Sequence, residues 1–270
     1  MTRIFICLLA LSACHHGHSH DQPSSESSPV VEAPLTEAAI AVPIAPGKTD
    51  AWKAALADLL GPRYAEYAAS RQRYGLTSQT TFVQRTPMGD FAVIHMTGPD
   101  VHASFHAMST SQDPWDQKWR ELTLNLHGMD FAQGERVTPK VEPAFSMDSG
   151  DSTHGTKQFM FLAPLSADGV AQFRQLSSEL MGPKHADYVR ARNAAGIRRE
   201  AVFLETSQLG MAAVFYWLAD DPVASLDRIA HSTDPFDVAL RDQVAKMHPI
   251  GLDAITSIAS QNELVAQFPH

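Results

Sequence analysis

The sequence predicts an α+β protein made of two copies of one strand-helix-hairpin-helix-strand unit, and three observations predict it. Residues Ser111 to Arg120 read SQDPWDQKWR and Ser232 to Arg241 read STDPFDVALR, so Ser, Asp, Pro, Asp and Arg recur 121 positions apart. The same interval aligns Gly61-Pro62 with Gly182-Pro183, Tyr67 with Tyr188, Arg71 with Arg192 and Gly75 with Gly196, then runs without a gap to His127 and His248. Within each copy the apolar period alternates between two and 3.6 residues in the same order. A match of this length is a duplication, and its period is too long for a solenoid repeat, so each copy is a small domain.

Each element follows from local chemistry. Short apolar runs, Ala39 to Ile44 and Phe159 to Leu165, open the copies as strands. Trp52, Leu56, Leu59 and Leu60 keep a helical period, as do Phe173, Leu176 and Leu180. The Gly-Pro pair interrupts that helix because proline lacks a donor and clashes with the preceding turn. A second helical segment ends at Gly75 or Gly196, where a C-terminal cap belongs. The β-branched and aromatic runs Thr80 to Arg85 and Ala201 to Glu205 turn through Pro87-Met88-Gly89-Asp90 or Gln208-Leu209-Gly210 into Phe91 to Met96 or Met211 to Leu218, completing hairpins. Asp100 and Asp221 cap the next helix, and Asp113-Pro114 and Asp234-Pro235 open the last one. Glu263 to Phe268 reads as a fourth strand of the second copy, whereas Val137 to Lys157, rich in Pro, Ser, Asp and Gly, reads as the connector.

Strand, helix, hairpin, helix and a last strand is the βαββαβ ferredoxin-like order. Two such units in one chain resemble a fused form of the dimeric α+β barrel superfamily, whose members include small monooxygenases, haem-handling proteins and stress-response proteins. The resemblance covers nearly the whole body as element order and duplication. It implies a pseudo-dimeric α+β barrel and transfers no catalytic residues. A sheet with helices on one face leaves the other face apolar, and covering it with a sibling removes that area from water at roughly 25 cal/mol per Å². Fusion supplies the sibling at high effective concentration.

The start of the chain suggests a compartment. MTRIFICLLALSAC has a positive start at Arg3 and an apolar run, Ile4 to Leu11, too short to span a bilayer, as in a secretion signal. Leu11-Ser12-Ala13-Cys14 resembles the lipobox of bacterial lipoproteins, which implies acylation of Cys14, cleavage before it and attachment to the lipid bilayer. In a Gram-negative cell, His15 after the cysteine favours the outer membrane, facing the periplasm. The two cysteines are Cys7 and Cys14, so the body carries no disulfide and no thiolate site. The expected division is a signal peptide over 1–13, a His-rich then Pro/Ser-rich tether over 14–36, repeat 1 over 37–136, a linker over 137–157 and repeat 2 over 158–270. The tether buries too little apolar surface to offset its ordering entropy. Its His15, His16, His18 and His20 can bind a divalent metal through neutral imidazoles or serve as a polar spacer.

Two groups of residues are candidates for a site. Asp116, Arg120 and His127 lie at i, i+4 and i+11 on one helix face, Asp237, Arg241 and His248 repeat them, and Tyr67 with Arg71, or Tyr188 with Arg192, are one turn apart on the earlier helix. Packed side by side, these helices form a polar cluster in each copy that can hold an anion, or that serves as a surface network. An Asp116–Arg120 pair, and its counterpart, would be worth about 0.5 kcal/mol. The second group is His95 and Tyr216, at equivalent positions on the second hairpin strand, aimed with Gln84 and Glu205 into the space between the sheets. His102 and His106, one turn apart, can join His95 as metal ligands.

A net charge of -9 over the whole chain argues against nucleic-acid binding. Glycine-rich phosphate loops, a nucleophile elbow and HExxH are missing from the sequence. The leading expectation is a membrane-anchored envelope lipoprotein that binds a small ligand or a protein partner without catalysis. The alternatives are an oxygenase or haem-associated enzyme of the barrel type and a metal-handling lipoprotein using the His-rich tether; the cofactor is unassigned.

Overall fold

A computed structural model describes residues 35–150 and 157–269. The signal sequence, Cys14 and the four tether histidines lie outside the described residues, as does 151–156. Repeat 1 comprises β1 (Glu37–Pro43), α1 (Thr49–Leu60), α2 (Tyr64–Arg73), β2 (Ser78–Thr86), β3 (Gly89–Thr97), α3 (Val101–Thr110), α4 (Pro114–His127), a 3-10 segment (Phe131–Arg136) and β4 (Lys140–Asp148). Repeat 2 comprises β5 (Lys157–Pro164), α5 (Gly169–Met181), α6 (His185–Ala195), β6 (Ile197–Ser207), β7 (Gly210–Ala219), α7 (Pro222–His231), α8 (Pro235–Met247), α9 (Leu252–Ala259) and β8 (Glu263–Phe268).

The local signals act as their chemistry requires. The helix breaks at Gly61-Pro62 and at Gly182-Pro183, dividing α1 from α2 and α5 from α6. Gly75 and Gly196 adopt φ of 74° and 86°, a region that side chains with a Cβ avoid, and so let each chain leave its helix toward the hairpin. Asp113 and Asp234 accept hydrogen bonds from the amides of Trp115 and Phe236 at 2.8 and 2.9 Å. Each is followed by a proline whose missing N–H leaves nothing unsatisfied.

Two antiparallel sheets result, ordered β1-β3-β2-β8 and β4-β6-β7-β5. The chain is a pseudo-dimeric α+β barrel of two ferredoxin-like repeats, with one departure from a simple tandem: the last strands are exchanged. β8, from repeat 2, pairs with β2, setting Thr81 opposite Ala266, and β4, from repeat 1, pairs with β6, setting Phe145 opposite Val202. The stretch 137–157, expected to be a connector, therefore holds a nine-residue strand. Pro143 and flanking charges hide it in the sequence. The strand accommodates that proline because it lies on a sheet edge and its register shifts between Pro143 and Phe145.

Strand alternation then sorts the side chains into three layers. Ala39, Ala41, Phe82 and Val93 meet Met160, Leu162, Phe203 and Val214 between the sheets. On the outer face of the first sheet, Val83 and Ala92 pack with Trp52, Leu56, Leu59 and Tyr67 from the helices and with Ala266 and Phe268 from the exchanged β8. On the second, Val202 and Leu204 pack with Phe173, Leu180 and Tyr188, and with Phe145 and Met147 from β4. Each repeat thus finishes the helix–sheet core of the other. Residues 37–148 expressed alone should aggregate or self-associate, and co-expression with 157–270 should restore one soluble 1:1 complex. A monomeric 37–148 fragment melting cooperatively in calorimetry would contradict this interdependence.

Candidate functional site

The repeated Ser-Asp-Pro-Asp-Arg motif builds a clamp between consecutive helices. Ser111 donates to Asp116 at 2.7 Å and its oxygen accepts the Asp113 amide at 3.1 Å. Arg120 does not pair with Asp116 as expected from their spacing. Its two terminal nitrogens donate to the carbonyls of Met108 and Ser111 at 2.8 and 2.7 Å, at and just beyond the C-terminal end of α3. Arg241 does the same to Ile229 and Ser232, both at 2.7 Å. A guanidinium fork satisfies two such carbonyls at the negative end of a helix at once, while the buried Asp116 carboxylate is met by other donors. Asp116 is instead bonded by Ser70 and Ser111, with Arg73 at 3.2 Å and the Tyr74 hydroxyl close by. Burial opposes its charge, but these donors hold its carboxyl below the usual range.

The inter-sheet group is brought together as the strand parity predicts, but in a closed seam. The His95 and Tyr216 rings stack at 3.8 Å with 6° between their planes, and both side chains are buried. His95 Nε2 faces Glu37 at 2.6 Å, and Arg199 donates to both Glu37 oxygens at 2.7 and 2.6 Å, joining the two sheets. Burial pushes His95 below its ordinary value against the pull of Glu37, so the ring is neutral near pH 7 and its Nε2–H donates to the carboxylate. The Gln84 amide binds both backbone groups of Leu162, donating to its carbonyl at 2.9 Å and accepting from its N–H at 2.7 Å. Glu205 accepts the Ala41 N–H at 2.5 Å. Gln84 and Glu205 thus fasten one sheet to the backbone of the other, because close sheet packing leaves their polar ends little else to bond, while His95 and Tyr216 meet across the same seam by stacking. His102 and His106 on α3 do not join His95: no group of three potential metal ligands occurs among the described residues.

Two cavities lie on the outer faces of the two sheets, beneath the helices, at equivalent places in the repeats. The first is walled by Arg71 (α2), Gln79 (β2), Ile94 and Met96 (β3), Phe105 and Met108 (α3), and Trp119, Arg120 and His127 (α4), and encloses ≈ 90 Å³. The second encloses ≈ 320 Å³ and is walled by the counterparts of all these residues, including Arg192, Glu200, Phe215, Trp217, Arg241 and His248. Apart from Phe131 and Thr138, every residue lining the first cavity has its counterpart in the second. Arg71, Arg120 and His127, singled out by their repetition, do converge on one space. Tyr67 and Asp116 stand behind it.

The two cavities differ electrostatically. In the second, Glu200 is fully buried and accepts from Arg192 Nε at 2.8 Å, the Tyr188 hydroxyl at 2.6 Å and the Trp217 indole at 2.8 Å. In the first, Gln79 replaces Glu200 and Met96 replaces Trp217. Among the described residues the first cavity is lined by two cations, Arg71 and Arg120, and no carboxylate; Arg192 and Arg241 of the second are accompanied by Glu200, Asp237, Asp242 and Asp253.

The histidines differ as well. His127 is held through Nδ1 by the Pro43 carbonyl at 2.8 Å, and its Nε2 accepts the Trp52 indole at 3.0 Å, so neither nitrogen is open. His248 Nδ1 meets the Pro164 carbonyl at 2.6 Å, and Phe173 stands where Trp52 would donate. Burial lowers both histidines, although the carbonyl bonds oppose it, and keeps them neutral. Sequence reasoning missed Gln79, Glu200, Met96 and Trp217; the differences between aligned copies at these positions were the signal that could have found them.

No family model and no curated protein matches this chain. Among solved structures it is similar to a provisionally assigned monooxygenase from Fusobacterium nucleatum subsp. nucleatum, at 10% identity and a TM-score of 0.47 over 86% of this chain and 92% of that one. It is also similar to an anthrone oxidase-like protein, at 12% identity and a TM-score of 0.43 over 88% of this chain and 93% of that one.

The seam makes a prediction about pH. Burial raises Glu205 from 4.5 to about 8 against the opposing Ala41 hydrogen bond. Between these values the folded state holds a proton that the unfolded state has lost, so stability falls as pH rises through this window and levels off above it. Glu205→Gln should flatten that decline and raise the melting temperature near pH 9 relative to wild type. Thermal melts from about pH 5 to 9 test this, and parallel curves for the two proteins would refute it.

Proposed function

We propose that this protein is an envelope lipoprotein, tethered to the outer membrane through acylated Cys14, whose barrel binds a small organic molecule in the helix–sheet cavity of repeat 1. The observation that carries the reading is the pair of equivalent cavities, one per repeat, each bordered by two arginines and a histidine, with a mostly apolar wall in repeat 1 and added carboxylates in repeat 2. Concave apolar sites with a few convergent polar groups are where proteins take small ligands. Binding without catalysis suits repeat 1, because both nitrogens of His127 are engaged and its cavity offers no other side chain placed to accept a proton. Attachment to the bilayer rests on the Leu-Ser-Ala-Cys motif alone. Among the described residues no helix is long and apolar enough to cross a membrane.

A small-molecule panel read by native mass spectrometry and thermal shift tests the proposal. A ligand should bind wild type and the Ala230→Phe variant, which obstructs the second cavity, but not Ser109→Phe, which obstructs the first. Equal binding by all three would place the ligand elsewhere and overturn the reading.

One observation favours a second reading, an oxygenase or haem-associated enzyme, and it belongs to repeat 2. There neutral His248 lines a cavity with aromatic walls, its Nδ1 meets the Pro164 carbonyl, and Phe173 replaces the indole that donates to His127 in repeat 1. A base so placed can take the proton of a phenolic substrate before oxygen attacks. Oxygen consumption with phenolic probes, abolished by His248→Gln, or a Soret band on adding haem, would support this reading over the first. The third possibility, metal held by His15, His16, His18 and His20, predicts zinc or copper binding that disappears when residues 15–20 are deleted.

A further inference from the structure

The comparison of the two repeats identifies the chemistry of the ligand. Arg71 is 3% exposed, and among the described residues its Nε and Nη2 have no hydrogen-bond partner and Nη1 reaches only the Met108 sulfur at 3.0 Å. Among the described residues no carboxylate lies within ion-pair distance of this guanidinium. The Gln79 side-chain oxygen is also buried without a partner, so the two groups face the same cavity and do not satisfy each other. A buried cation lacking a counter-ion is costly, and native structures remove that cost by pairing or by a bound anion.

Repeat 2 displays the paired arrangement. There Arg192 and Tyr188, the counterparts of Arg71 and Tyr67, both donate to the Glu200 carboxylate. Glu200 is an internal carboxylate ligand occupying the site, and its replacement by Gln79 leaves the corresponding site of repeat 1 with its donors but without its anion. Most of the remaining wall is apolar, including Ile94, Phe105 and Trp119. The first cavity, ≈ 90 Å³, has room for several water-sized groups, on the order of a single ring or a short chain.

Accordingly, we infer that repeat 1 binds one small monocarboxylate bearing an apolar ring or short chain, its carboxylate held by Arg71 where Glu200 is held by Arg192 in repeat 2. This deepens the proposed function and rests on it. The chain therefore binds one such ligand, not two, because its second site is already filled by its own side chain.

Titration calorimetry on the full chain tests the inference, with benzoate, phenylacetate and hexanoate compared with their neutral amides. Each carboxylate that fits should bind at least about tenfold more tightly than its amide, as expected when a charged partner is lost. Gln79→Glu should abolish carboxylate binding and raise the melting temperature, because the new side chain pairs with Arg71. Arg71→Gln should erase the preference for acid over amide. Glu200→Gln should raise the stoichiometry from one to two, and if that variant does not fold, the Gln79→Glu result decides alone. If acid and amide bind equally and Gln79→Glu changes neither, the carboxylate assignment fails while cavity binding stands. If no probe binds and Ser109→Phe has no effect, the cavity reading itself fails, and this inference with it.

Discussion

The structure depends on burying two apolar sheet faces against each other. Each repeat places helices on one side of its sheet and leaves the other side lined by residues such as Ala39, Phe82, Val93, Met160 and Phe203. Neither face can be left in water without losing roughly 25 cal/mol for every Å² of apolar surface. Exchange of the last strands makes that requirement mutual. β8 supplies Ala266 and Phe268 to the helix–sheet core of repeat 1, and β4 supplies Phe145 and Met147 to that of repeat 2. Hydrogen bonds along β2·β8 and β4·β6 also satisfy backbone groups that an edge would leave open.

Because packing between the sheets is this close, polar residues there fasten the sheets rather than open a site. Gln84, Glu205 and Arg199 each hydrogen-bond across to the opposite sheet, and His95 stacks on Tyr216 across the seam. Interiors at this density have no room for both a ligand and a fastening. The available space moves to the outer faces, where helices lie over a twisted sheet and meet it less completely. This explains why the duplicated cavities sit under the helices in both halves.

Duplication frees one copy to change while the other keeps the fold. Here the backbone clamp is unchanged: Arg120 and Arg241 bond equivalent carbonyls, and His127 and His248 bond the carbonyls of Pro43 and Pro164. The cavity linings have diverged. In repeat 2 a buried Arg192–Glu200 pair is supported by two further donors, which makes burial of both charges tolerable. In repeat 1 the equivalent arginine has only sulfur and aromatic neighbours, the Tyr67 ring centroid lying 4.8 Å from its guanidinium carbon. The aromatic faces offset part of the charge, but they leave Nε and Nη2 unsatisfied.

Much of this was legible in the sequence, for local reasons. Caps at Asp113 and Asp234, breaks at Gly61-Pro62 and Gly182-Pro183, left-handed glycines and strand alternation are set by residues within a few positions of one another, so reading the chain recovers them. The repeat interval further identified Arg71, Arg120 and His127 as residues of one kind, and parity placed His95 and Tyr216 between the sheets. Tertiary structure decided the rest. Which sheet receives β4 and β8 depends on edges far away in sequence, and whether Arg120 takes Asp116 or two helix-end carbonyls depends on how α3 and α4 cross. That Gln79 and Glu200 make the difference between an open site and a filled one emerges only when strand and helix are brought face to face, because the energy of a buried charge is set by its surroundings in space.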